Sequence, residues 1–460
     1  MRRTASLSIR SFSISNTKTI TIIGSIILTF VIIDMIFSFA ATTVTVSANW
    51  EIAIFVIIAG IYGTTQYAIL NFIKNITRKI RATVPLIRTL HAFVSIIQYV
   101  LLSFIVVVIL EILLSSQYHT SILNWGTSIN YAISGSIWAT LAARLLAWYQ
   151  STKSFVVLMY AISSVITGIS FLLWLPYNAG VLLEMPTLRD IHTPPTSYQF
   201  YPLHTTMGIL QYDSGVVIFV NVALLWLSSV LMLYPYSDTI GKTKFWVIIT
   251  IPLIISVIVP TGLLFAYIPS ILGIPSSNIP LYVTVLYTLV PGIVAGFLFG
   301  APFFIIAKRI PSNSLKEYLI LTAWGLIIFN VTTSGNILNA AYPPFGFSNV
   351  LFQVTACYLI FIGLYSSAIS ISGDTRLRQT IKRSLLDESK LLDSLGSAQM
   401  KQESISRISK IMKEQQQTLT EQTGVQSSTD ETQMKQYLEE VITEVRQQKQ
   451  NIDRSANDKH

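Results

Sequence analysis

Long runs of apolar residues, separated by short polar segments, dominate the chain up to about residue 372. Only helices and closed barrels satisfy every backbone amide in hydrocarbon, and a spanning helix needs about 20 mostly apolar residues. The runs are continuous and lack the alternation of barrel strands, so they predict α-helices. Ten spans are predicted, at 20–41, 50–73, 92–115, 128–149, 155–176, 215–235, 245–268, 282–306, 318–338 and 349–372.

The basic residues test these boundaries independently, because Lys and Arg gather in the cytoplasmic loops of membrane proteins. With the N-terminus inside, Arg189 is the one basic residue in an outer loop. Fifteen others lie in the inner segments before the tail: Arg2, Arg3, Arg10, Lys18, Lys74, Arg78, Lys79, Arg81, Arg88, Lys153, Lys242, Lys244, Lys308, Arg309 and Lys316. This asymmetry predicts an all-α polytopic bundle with both termini in the cytoplasm.

Three regions follow from this topology: a basic cytoplasmic N-terminus at 1–19, a transmembrane bundle at 20–372 with an outer loop at 177–214, and a cytoplasmic helical tail at 373–460. The cell membrane is the expected location. An alternative concerns the N-terminus, which is rich in Arg and Ser like a transit peptide, with a candidate cleavage site at 46–48. Cleavage there would leave nine spans and the same sidedness downstream.

Composition supports a membrane protein, since 52% of the residues are hydrophobic, 12% are charged and the mean hydropathy is +0.58. The net charge of +9 belongs to the membrane region, because the tail after Gly373 has equal numbers of basic and acidic residues. The excess therefore reflects orientation in the membrane, and we expect no nucleic-acid partner. A single cysteine, Cys357, excludes an internal disulfide and a cysteine-based metal cluster.

Ionisable side chains inside the spans mark candidate sites, because a charge at mid-bilayer costs about 2.5 to 3.5 kcal/mol on insertion scales. Asp34 in the first span and Glu111 in the third lie in the outer leaflet. Asp34 is too short and too deep to reach the interface, so it must be protonated, hydrogen-bonded or facing water. Arg144 lies near the inner end of the fourth span, and we interpret it as snorkelling to the interface.

The outer half of the ninth span is unusually polar for a membrane helix. One hypothesis is that this polar end lines a ligand or ion cavity together with Asp34 and Glu111. The alternative is that the same groups only form hydrogen bonds with neighbouring helices. The polar residues of this candidate cavity are Asn330, Thr332, Thr333, Ser334 and Asn336.

The eighth span contains Gly292, Gly296 and Gly300, spaced four residues apart on one face. Small residues at this spacing allow the backbones of two membrane helices to approach closely. We therefore predict a helix-packing face along this span. The pattern carries no information about a ligand.

Three histidines lie on the predicted outer side, namely His119, His192 and His204, and carboxylates lie near them in sequence. Imidazole and carboxylate groups together can bind zinc or copper. Their spacing matches no metal-binding motif, so we predict no metal site and no cofactor and retain the histidines only as metal-ligand candidates.

The tail predicts a helix from Asp374 to Lys413 and a second, with coiled-coil spacing, from Met434 to Val445. It contains a single aromatic residue, so it cannot enclose a globular core. A lever continuous with the last span is expected, and a passive oligomerisation stalk is the alternative. The partners expected are membrane lipid and, through 374–450, a second copy or a cytoplasmic protein. Basic residues that would anchor the tail at the membrane surface are Arg376, Arg378, Lys382 and Arg383.

Several stretches of the final third are distinctive: "AAYPPFGFSNV", "YSSAISIS", "RLRQTIKRS", "ESKLLDSLGSAQM", "TGVQSS" and "YLEEVITEV". Over roughly 339–445 the chain resembles uncharacterised multi-spanning membrane proteins of ammonia-oxidising archaea, and the resemblance is much weaker upstream. It implies an archaeal cell membrane. It implies no activity and no functional residue.

Two functional hypotheses follow. In the first, the protein is a membrane sensor or signalling scaffold that links an outward-facing polar cavity to a cytoplasmic partner-binding helix. In the second, it is a secondary transporter or channel for a small solute or ion, with Asp34 and Glu111 handling the ion. An enzyme using the outer histidines is a third alternative, but the chain contains no phosphate-binding loop and no catalytic motif, so we predict no enzymatic activity.

Overall fold

The protein is a helical bundle, described here from a computed structural model. The structure describes residues 16–40, 48–190, 192, 205–258, 281–310, 312–333, 342–373 and 390–423. Its α-helices are α1 (Asn16–Ala40), α2 (Ala48–Ile76), α3 (Arg78–Thr83), α4 (Pro85–Ser115), α5 (Thr120–Thr152), α6 (Phe155–Leu183), α7 (Thr206–Leu233), α8 (Ser237–Ile240), α9 (Lys242–Ile258), α10 (Leu281–Arg309), α11 (Asn313–Thr333), α12 (Phe347–Gly373) and α13 (Lys390–Thr423). Two strands, β1 (Gln117–His119) and β2 (Leu188–Asp190), and a short 3₁₀ helix at Tyr234–Tyr236 complete the described elements.

Within the described residues, eight helices are long and apolar enough to cross a membrane: α1, α2, α4, α6, α7, α10, α11 and α12. The protein is therefore a multi-pass membrane protein, as its apolar runs predict. The predicted span at 245–268 begins in α9, and its residues beyond Ile258 lie outside the described part of the chain. The count of ten spans and the sidedness stay predictions.

Helix α5, which covers the predicted fourth span, is long but less apolar than its neighbours. It has 33 residues, and Thr127, Asn130 and Ser134 lie buried along one side. This side packs against α6 and α12, so the polar groups point into the bundle and lower the mean hydropathy of the helix. Polar side chains that face other helices are common in membrane bundles.

Helix α12 lies at the centre of the bundle, in contact with α1, α2, α4, α5, α11 and α13. Of its 27 residues, 24 are buried. In its most apolar segment and in that of α11, 89% of residues are buried, whereas the value for α4 is 28%. Helices α11 and α12 therefore form the core, and α1, α2 and α4 present much of their surface to lipid.

Glycines allow the core helices to touch backbone to backbone. A Cβ on Gly325 of α11 would lie 2.9 Å from the amide nitrogen of Ile360 in α12. On α10, a Cβ on Gly296 would lie 2.9 Å from the carbonyl oxygen of Ile327. Close approach of this kind maximises van der Waals contact where no hydrophobic effect drives helices together.

The glycine face predicted on the eighth span thus points at α11. Gly300 lies next to the backbone of Ala323, whose carbonyl oxygen would be 2.9 Å from an added Cβ, and Gly292 is buried on the same helix.

An antiparallel pair of short strands, β1 and β2, lies at the opposite end of α4 from Pro85, with Tyr118 opposite Arg189. These strands join the ends of α4, α5 and α6.

We expect Gly300→Leu to destabilise the protein by about 2 kcal/mol, because overpacking a close contact forces backbone shifts. The measurement is thermal unfolding in detergent, followed by circular dichroism. The matched control is Gly60→Leu, since a Cβ at Gly60 meets no atom within 4 Å. Equal unfolding temperatures for the two variants would contradict the close packing of α10 on α11.

Candidate functional site

Asp34, the deepest acid that the sequence singles out, binds the start of the central helix. Its side chain is 1% exposed. Oδ1 accepts a hydrogen bond from the amide of Gly346 at 3.0 Å, and Oδ2 accepts one from the amide of Asn349 at 2.9 Å. The first amides of a helix lack partners within the helix and carry partial positive charge, so a carboxylate there is stabilised. Of the three states expected for Asp34, the structure has the hydrogen-bonded one.

Glu111 forms a different site, near the end of α4 that leads into β1. Its Oε2 accepts a hydrogen bond from the amide of His119 at 2.9 Å, and its Oε1 lies 2.8 Å from Nδ1 of the same histidine. The two side chains are 25% and 52% exposed, so water screens the pair. This contact ties β1 to α4.

The polar end of α11 bonds mainly to its own helix. Asn330 Nδ2 donates to the carbonyl of Leu326, and the hydroxyl of Thr332 donates to the carbonyl of Phe329. Thr333 makes the same kind of bond to Asn330. Ser334 and Asn336, the other residues predicted here, lie outside the described residues. Asp34, Glu111 and the polar residues of α11 thus have separate partners, and the shared cavity stays a prediction.

Three further polar pairs join α12 to its neighbours across the bundle. Each connects one polar side chain on α12 to one on a different helix. The pairs are Gln353 with Asn130 of α5 at 3.2 Å, Thr355 with Gln66 of α2 at 2.7 Å, and Tyr358 with His91 of α4 at 2.8 Å. All six side chains are buried. No prediction from the sequence covered these residues, although isolated Gln and Asn in apolar runs are a usable signal; His91 lies just before the predicted third span.

The described part of the tail, α13, packs against the end of the bundle where α12 ends. Leu391, Leu392 and Leu395 of α13 are almost completely buried. Gly396 lies against Ile371 of α12, where a Cβ would collide with the isoleucine side chain. The first turns of α13 therefore lie on the bundle and do not project away from it as the expected lever would.

Polar contacts accompany this packing. Ser372 of α12 donates to Oε1 of Glu403 at 3.3 Å, and Gln399 Nε2 donates to the same oxygen at 3.0 Å. Trp148 of α5 donates its indole N–H to Oε1 of Gln399 at 3.1 Å. Helix α13 is thus bonded to two helices of the bundle. The membrane-anchoring residues Arg376, Arg378, Lys382 and Arg383 and the predicted second tail helix lie outside the described residues.

The histidines predicted on the outer side are not assembled into a metal centre within the described ranges, where no group of three His, Cys, Asp or Glu residues has suitable geometry. His119 is paired with Glu111, and the exposed His192 donates its backbone amide to Asp190 Oδ1 at 3.0 Å. His204 lies outside the described residues. The absence of a metal and of a cofactor stays a prediction.

Arg189, the single basic residue of the loops predicted to be outside, is 1% exposed and lies opposite Tyr118 in the strand pair. Burial raises the pKa of the Tyr118 hydroxyl, and the nearby Arg189 guanidinium opposes that rise. Tyr118 also stacks on Tyr342, with ring centroids 6.3 Å apart. This cluster joins the strand pair to the segment that leads into α12.

We expect Asp34→Ala to destabilise the protein by about 3 kcal/mol, because two buried amides lose a charged acceptor. Glu111→Ala is the matched control, since that carboxylate also accepts two hydrogen bonds but is partly exposed, and we expect a loss below about 1 kcal/mol. Both are measured by denaturant unfolding in detergent micelles. Similar losses for the two variants would show that burial of Asp34 contributes nothing to this contact.

The chain matches no protein-family model, no curated protein and no solved structure at a significant level. The resemblance to archaeal membrane proteins over 339–445 therefore stays a prediction. Function has to be argued from the geometry above, in which the central helix is bonded to Asp34 at its start and to α13 at its end.

Proposed function

We propose that this multi-pass membrane protein is a sensor or signalling scaffold in which α12 connects the outer side of the bundle to the tail helix α13. On this proposal a change at the outer end of α12 shifts or tilts the helix and alters how α13 packs. The altered α13 is then recognised by a second copy or by a cytoplasmic protein. The single observation that carries the proposal is the docking of α13 on the inner end of α12, at Ile371 and Ser372.

The position of α12 supports this role. Its backbone amides at the outer end bind Asp34, and its last turns contact α13 about 40 Å away, at 1.5 Å of rise per residue over 27 residues. A tightly packed helix moves as a unit, and small shifts in packed cores pass between discrete arrangements. A displacement of one end therefore reaches the other.

The alternative hypothesis, a secondary transporter or channel, assigns Asp34 and Glu111 to the ion path. In the structure Asp34 accepts two backbone hydrogen bonds and Glu111 is bonded to His119. Intramembrane acids of transport pathways usually face a water-filled cavity or the bundle interior next to another ionisable group. The contacts of Asp34 instead favour a structural link to α12, and so favour the scaffold hypothesis.

Hydrogen–deuterium exchange tests the link between the two ends of α12. We expect Asp34→Asn to accelerate amide exchange in residues 391–400 of α13 by about tenfold, which corresponds to a docking energy weakened by about 1.4 kcal/mol. Gly300→Leu is the control, because it should destabilise the bundle by a similar amount through α10 and α11 only. Proton and sodium flux into proteoliposomes is measured on the same variants.

Two results would overturn the proposal. If Asp34→Asn accelerates exchange in α13 no more than Gly300→Leu does, α12 does not couple its ends. If the wild-type protein conducts protons or sodium and Asp34→Asn abolishes the flux, the transporter hypothesis is correct.

A further inference from the structure

Arg144 of α5 has an unusual environment for an arginine in a membrane helix. Its Cζ lies 5.6 Å from the ring centroid of Tyr365 in α12, which places the cation on the aromatic face. Trp148, one turn further along α5, stacks on the same tyrosine with centroids 5.8 Å apart. Arg144 is only partly buried, and so are Thr140 and Ala147, which lie one turn away on the same face, so this face of α5 is accessible from outside the bundle.

The guanidinium has no hydrogen-bonded partner in the part of the chain that the structure describes. The guanidinium contacts the aromatic face of Tyr365 and interacts electrostatically with that residue. An arginine carries five N–H donors in a planar fork that matches the oxygens of phosphate or carboxylate. A cation–π contact satisfies none of these donors, because the ring offers only its face.

An acid that could neutralise Arg144 lies nearby but is engaged elsewhere. Glu403 of α13 interacts electrostatically with Tyr365, and its carboxylate oxygen accepts hydrogen bonds from Ser372 and Gln399. Among the described residues, Arg144 and Glu403 form no ion pair. The positive charge of Arg144 is therefore left for a group outside the described protein.

The depth of Arg144 indicates what that group is. Trp148 and Tyr149 follow it by one turn, at the end of α5 where aromatic side chains mark the membrane interface. Lys153 lies just beyond, above the ring of Tyr149 at 5.5 Å. An arginine one turn inside this belt extends its head group to the level of lipid phosphates. Basic pockets between helices on the cytoplasmic side commonly bind anionic lipid head groups.

We propose that Arg144, held on the face of Tyr365, binds the phosphate group of an anionic lipid from the cytoplasmic leaflet. The lipid approaches the partly exposed face of α5 that carries Thr140, Arg144 and Ala147. Tyr365 holds the guanidinium in place, and the phosphate oxygens accept the N–H groups that the ring cannot satisfy. The site is distinct from the link between Asp34 and α13 and does not depend on the proposed function.

Such a lipid would also lie close to the tail helix. Trp148 contacts Tyr365 on α12 and donates its indole N–H to Gln399 on α13. A phosphate that orders Arg144 and Tyr365 therefore orders the aromatic group against which α13 packs. Lipid composition would then influence how firmly α13 is docked.

Native mass spectrometry of the full chain in detergent, titrated with phosphatidylglycerol, tests the site. We expect the affinity of Arg144→Gln for one phosphatidylglycerol molecule to fall about fivefold, as expected for the loss of one basic group near an anionic lipid. The variant should therefore retain one lipid fewer than the wild type. Lys153→Gln is the matched control, because Lys153 is also a cation above an aromatic ring at this end of α5, but its ring is Tyr149 and not Tyr365. We expect it to bind phosphatidylglycerol like the wild type.

Arg144→Lys keeps the charge and the cation–π contact but loses the planar fork, so we expect an intermediate affinity for phosphatidylglycerol. If Arg144→Gln fails to fold, Arg144→Lys is compared with the wild type instead. The zwitterionic lipid phosphatidylcholine should bind weakly and independently of Arg144. Equal phosphatidylglycerol affinity in wild type and Arg144→Gln would overturn the proposal, as would an equal loss in Lys153→Gln. Displacement of the lipid by excess inorganic phosphate would identify a site for free phosphate and would also overturn it.

Discussion

The bundle depends on the burial of one helix, α12, in a medium that offers its polar groups no water. Every polar side chain and every free backbone amide of this helix needs a protein partner or remains costly. Five neighbouring helices each supply one such partner: Asp34 from α1, Gln66 from α2, His91 from α4, Asn130 from α5 and Glu403 from α13. Individual hydrogen bonds between membrane helices contribute only about 0.6 kcal/mol on average, so the main effect of Gln66, His91 and Asn130 is to set the register of the helices, whereas Asp34 accepts from two buried amides.

Much of the helical framework could be predicted from the sequence, because a bilayer imposes a minimum length of apolar residues on each crossing. The glycine pattern of α10 also indicated a packing face, and the structure places Gly296 and Gly300 against α11. Helix α5 shows that mean hydropathy alone does not identify every helix of the bundle. Its polar residues face inward, so its composition alone does not distinguish it from a helix outside the membrane.

The candidate site was harder to predict than the helices, because its residues have distant partners or give only weak signals in the sequence. The sequence shows that Asp34 must be protonated, hydrogen-bonded or in contact with water, but its partners at Gly346 and Asn349 lie more than 300 positions away. Gln66 and Asn130 carry no charge and therefore cost too little in lipid to stand out. The docking of α13 depends on Gly396, whose missing side chain has meaning only once its neighbour Ile371 is known.

The hydrogen bond from Gly346 to Asp34 joins residues 312 positions apart. Membrane helices enter the bilayer largely in the order of their synthesis, and long-range contacts form only after the later segment exists. Asp34 therefore lies in the membrane without its final hydrogen-bond partners until almost the whole bundle has been translated. Insertion of the last described span supplies those partners together with the ones for Gln66, His91 and Asn130, so these polar contacts all form in one late step.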